Sequence, residues 1–199
     1  MKSNICKIDK GTKDLEAILK ESEAVAEYNG FTHKQALQLR LLCEEIDGML
    51  PNIIDDFEGT LWIDCEDGVC KINVSIQIPE LNASEKEALI SIAKNKKNAA
   101  AVGIVGKIRN AIENFLFDET AMNAIVASSG TYFGANENSE CVDYSYLWSL
   151  EQYRSAVKKE AQAEAWDELE KSVIASVADD VIVGVKGRCA EVVVIKKFA

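Results

Sequence analysis

Residues 32–50, THKQALQLRLLCEEIDGML, constrain the fold more than any other stretch. Thr32 and Gln35 have the spacing of a capping box, in which each side chain satisfies a backbone N–H that a helix start leaves unpaired. Ala36, Leu39, Leu42, Cys43, Ile46, Met49 and Leu50 then recur at helical spacing, so one face of the helix is apolar and turned to a core. Pro51 is expected to help end it. At about 100° per residue, Glu45 falls on the edge of the apolar face and Glu44 points almost directly away from it.

The flanking pattern supplies the partners of that helix. Residues 4–8 (NICKI) alternate weakly and read as a first strand. Residues 14–28 read as a helix with Leu15, Ile18, Leu19, Ser22, Val25 and Ala26 on one side, stopped by Asn29-Gly30. Residues 59–65 and 69–78 are two strands, and Glu66-Asp67-Gly68 between them is a hairpin signal. The second strand alternates: Ile72, Val74, Ile76 and Ile78 take one face, while Lys71, Asn73, Ser75 and Gln77 take the other.

Pro79 closes that strand. Ser84-Glu85-Lys86-Glu87 is a second capping box opening a short helix to about Ala93. A polar stretch and a small-residue run with Gly103 and Gly106 follow, leading into a helix through Ile108, Ile112, Phe115 and Leu116. Residues 149–179 read as helical, with a break near Val157 and with Trp166, Leu169, Val173 and Val177 on one face. Residues 181–185 and 190–198 form a last hairpin across Lys186-Gly187-Arg188. Between these, residues 118–150 include SSGTYFGANENSECVDYSY, which is rich in Gly, Ser and Asn and reads as loop, yet the segment carries Tyr132, Phe133, Tyr144, Tyr146 and Trp148.

A chain of 199 residues with this order is expected to be one domain spanning 1–199, with an insertion over 118–157. The expected class is α/β, as an α+β two-layer sandwich: a mixed, largely antiparallel sheet with helices on one face. Residues 192–195, VVVI, are apolar on both sides, and such a strand is normally covered on both sides. The insertion or a second subunit is expected to cover the second face, since monomers rarely leave several hundred Å² of contiguous apolar surface wet.

Charge narrows the function classes. The formal net charge is -11 and the sequence pI is about 4.7. Such a chain repels phosphate backbones, which argues against a general nucleic-acid or anionic-membrane role. No run approaches the roughly 18 apolar residues of a membrane span, and the first residues hold no apolar stretch of the signal-peptide kind. The expected location is the cytoplasm. Six cysteines are scattered without a CxxC pair, and the lone His33 cannot complete a zinc set. Cys65 and Cys70 flank the hairpin turn and can lie near each other; in a reducing compartment two thiols are expected.

The order strand, helix, capped helix with Glu44-Glu45, hairpin, short helix, glycine-containing loop, helix and closing hairpin resembles the GHKL superfamily, the Bergerat ATP-binding fold of histidine kinases. It is most similar to the stand-alone anti-sigma-factor kinases, over residues 3 to about 117 and 178–198. In that family the long helix carries a glutamate that orients water or acts as a general base. An asparagine four residues later coordinates Mg²⁺ on the ATP phosphates. By this resemblance Glu45 is the candidate catalytic residue. Four residues on stands Met49, and four residues after Glu44 stands Gly48. Neither supplies the hard oxygen that Mg²⁺ requires. Asn52 lies on the right flank but beyond Pro51. The family's Asp-Gly adenine-binding turn would fall on IPELNAS, which has neither residue, with Glu80 as the nearest imitation. Its glycine-rich phosphate loop can be laid on residues 103–107. That makes Gly103, Gly106 and Lys107 the candidate nucleotide-binding residues, although the segment is not a P-loop, since Ala101 and Ile108 stand at the wrong places.

Each candidate has a plainer reading. Glu45 can be a solvated helix carboxylate. Gly103 and Gly106 can simply allow a helix to pack closely on the sheet. His33 reads as an exposed first-turn residue, and no phosphoacceptor-histidine helix is present. Lys94, Lys96 and Lys97 read as a solvated rim or a phosphate-contacting lid. Tyr144, Tyr146 and Trp148 can cover the sheet or anchor a partner.

The expectation drawn from all this is a regulatory, protein-binding protein on a GHKL-like fold. Its ATP and magnesium site is eroded, it holds no metal or cofactor, and it carries no catalysis. It would act on a protein partner or as a homodimer through the sheet face or the 118–157 insertion. The alternatives are an active anti-sigma-factor-like serine kinase using ATP and magnesium, and a small-molecule binder reusing the pocket beside Glu45.

Overall fold

A computed structural model describes residues 1–9, 15–53, 57–77, 103–117, 145–160, 169, 172–186 and 189–198. In chain order the elements are β1 (Cys6–Asp9), α1 (Leu15–Tyr28), α2 (His33–Ile53), β2 (Glu58–Glu66), β3 (Val69–Gln77), α3 (Gly103–Phe117), β4 (Ser145–Ser149), α4 (Leu150–Glu160), α5 (Val173–Val177), β5 (Asp180–Lys186) and β6 (Cys189–Lys197). The fold is α+β. The strands form one sheet in the order β1-β2-β3-β6-β5-β4, and every pairing among them is antiparallel.

Register follows from the alternation in the sequence. Leu61 pairs with Val74, Ile63 with Ile72 and Cys65 with Cys70. Ile72 then pairs with Val194, Val74 with Val192 and Ile76 with Ala190. All of these side chains are buried, as are Val181 and Val183 on β5. They share one core with Ile18 and Val25 of α1, with Leu39, Leu42, Ile46 and Leu50 of α2, and with Ile104, Ile108 and Ile112 of α3. Burying each large aliphatic side chain of this kind contributes about 1.5–3 kcal/mol. Gly59 is where two strands leave no room: a Cβ there would lie 2.5 Å from the Ser75 carbonyl oxygen.

The turns are those the residues dictate. Asp67 (φ 50°) and Gly68 (φ 77°) make the two-residue loop between β2 and β3, a backbone shape that suits Asp-Gly. α1 ends in a Schellman arrangement, with Phe31 N–H donating to the Ala26 carbonyl and Gly30 N–H to that of Glu27, each at 3.0 Å. The capping box at α2 forms: Thr32 N–H donates to Gln35 Oε1 at 2.8 Å, and Gln35 N–H to Thr32 Oγ1 at 3.4 Å.

Four local expectations are corrected. α2 continues through Pro51 to Ile53, because a proline in a last turn forfeits one backbone bond without forcing the chain out of the helix. The break expected near Val157 is not there: the helix runs through it, and the described break is at Ser172, whose backbone is extended. α4 begins at Leu150, and α5 is a separate short helix whose N-cap, Ser172, accepts from Ala175 N–H at 3.3 Å. Residues 145–149, of which 145–146 read as loop and Ser149 as the start of a helix, are the edge strand β4, paired with β5 across a register shift between Tyr146 and Trp148. Cys65 and Cys70, expected as two thiols, are disulfide-bonded: the two-residue turn sets them directly opposite on the core face, with Cα atoms 4.1 Å apart.

The helix expected to start at Ser84, the lysines at 94–97, Glu80, Trp166 and most of the 118–157 insertion lie outside the described residues. The part of that insertion that is described belongs to the sheet and its helical layer: β4 is a strand of the sheet, and Leu150 and Val157 of α4 sit in the core. On the sheet's second face Val193 and Ile195 are half-buried. Asn73 is only 4% exposed there and donates from its amide to the Lys71 carbonyl at 3.1 Å. No described helix is long and apolar enough to cross a membrane.

Candidate functional site

α2 is the scaffold of the candidate site. Its apolar stripe locks the helix against α1, α3 and α5, and this fixes where the flank residues stand. Arg40 donates from Nε to Glu44 Oε1 at 3.1 Å and from its guanidinium to Glu23 on α1. Glu44 is thus engaged in a half-exposed charge network that pins α1 to α2. Such pairs contribute about 0.2–1 kcal/mol each. Glu45, next in sequence, is half-buried and makes no hydrogen bond or ion pair among the described residues.

One turn beyond Glu45, Met49 is 4% exposed and packed in the core. Gly48 is exposed and brings no side-chain donor. The Asn52 amide donates back to the Gly48 carbonyl of its own helix at 3.2 Å. The residues present therefore do not fit a magnesium ion held as the GHKL resemblance implies: the position that would supply oxygen supplies a buried thioether. Among the described residues no group of three or more His, Cys, Asp or Glu side chains is placed to hold a metal ion.

Gly103 and Gly106 open α3, which packs beside α2. Gly103 has φ +74°, and a Cβ there would meet nothing within 4 Å. Backbone conformation, and not close approach of a neighbouring chain, explains this glycine. Gly106 is buried. Lys107 does not stand open to solvent: its ammonium lies 5.5 Å from the ring centroid of Tyr153 on α4, and Tyr153 in turn packs at 6.0 Å on Trp148. A cation held over an aromatic face is stabilised where it is. The structure thus brings the elements that carry Glu45 and Lys107 together, while Lys107 itself is directed to α4.

Cys43 is fully buried on α2, and its thiol is pushed up to about 12 by burial, with Cys6 and Glu44 adding to the effect. It is an inert core thiol at neutral pH. His33 is exposed in the first turn of α2. Arg154, which no local pattern in the sequence marks, ties α4 to the end of α5. Its guanidinium donates to the carbonyls of Ala175, Ala178 (3.3 Å) and Asp179 (3.1 Å), where helix carbonyls are otherwise unpaired. Asp180 answers it by accepting from Glu151 N–H at the start of α4, at 2.9 Å. A shallow groove on α4, lined by Glu151, Gln152, Ser155, Ala156 and Lys159, includes none of the candidate residues.

Compared with known proteins, the chain matches no family model, no curated protein and no solved structure.

Proposed function

We propose that this is a regulatory binding protein on a GHKL-like scaffold, without catalysis, whose nucleotide site has lost its metal ligand. The observation that carries this reading is Met49. It occupies the place of the resemblance's magnesium-binding asparagine, and it is committed to the core. The engagement of Lys107 by Tyr153 supports the same reading, because it takes the nearest cation of the glycine segment away from a phosphate. The protein then acts through its surfaces, on a protein partner or a second copy, by the sheet's second face or the 118–157 segment. Titration of the purified chain with Mg-ATP tests this directly.

Glu45 favours a second reading. A half-buried carboxylate with no partner among the described residues is what a general base of a serine kinase needs. In that reading Glu45→Ala abolishes phosphoryl transfer, and unchanged turnover removes the idea. A small metabolite taken up beside Glu45 is the third member of this set, and a thermal-shift screen detects it. A ligand at 100 times its dissociation constant adds about 2.7 kcal/mol of stability.

We place the protein in the cytoplasm. Cys6, Cys43 and Cys189, which are buried and not disulfide-bonded, support this. The Cys65–Cys70 bond pulls the other way.

A further inference from the structure

We draw no further inference here: the strongest candidate, the half-buried second face of the sheet around Trp62, Asn73, Ile182, Val193 and Ile195, carries nothing because nothing in the structure shows what covers it.

Discussion

Met49 lies one helical turn beyond Glu45 on α2, and the two side chains have opposite fates: Met49 is packed in the core, and Glu45 stays on the flank. The helix places both by its period alone. A residue four positions on is rotated about 40° further round the axis, enough to carry it from the edge of the apolar stripe into it.

Restoring the family's residue by Met49→Asn is expected to harm the fold without creating a site. The change removes a buried apolar side chain and puts an amide where water is excluded. The expected loss is about 2–4 kcal/mol, read as a lower urea midpoint. Mg-dependent nucleotide binding by the folded fraction of this variant would show that position 49 reaches the cleft after all.

Alkaline pH should weaken the protein through Cys43. Burial pushes the folded thiol from its ordinary value of 9.0 up to about 12, so the native state holds this proton more tightly than the unfolded chain. Its contribution is fully present below about pH 9 and is lost as pH rises from 9 towards 12. The slope approaches about 1.4 kcal/mol per pH unit. Cys43→Ala should be less stable at neutral pH, through lost packing, and should show a shallower decline over that window. Parallel curves for the two proteins would contradict the assignment.

The Cys65–Cys70 bond predicts a thiol count. Alkylation in denaturant should label two fewer cysteines before reduction than after it. Reduction should cost about 2 kcal/mol, the value expected for so short a loop. Protein trapped with acid directly from cells and showing no difference between the two counts would remove the bond and strengthen the cytoplasmic placement.

The elements legible in the sequence are those whose signals are local. The Thr32–Gln35 box, the Asp67-Gly68 turn and the alternation of Ile72, Val74 and Ile76 each specify their geometry within a few residues, and each forms. What was not legible depends on distant partners. β4 is five residues long and is a strand because β5 pairs with it. Arg154 finds its acceptors more than twenty residues away. The break before α5 is hidden because Leu169 and Val173 keep a helical spacing across Ser172. At the candidate site, the sequence located Glu45 on the flank and Met49 on the apolar face, as found. It could not show that Lys107 turns to Tyr153, since that ring lies on another helix.

One helical turn beyond Glu45, Met49 offers a buried thioether and no oxygen to a metal nucleotide. Calorimetric titration of the purified full chain with Mg-ATP tests this most directly. No saturable heat is expected up to millimolar nucleotide; a saturable isotherm with a micromolar Kd would contradict the loss of the metal ligand.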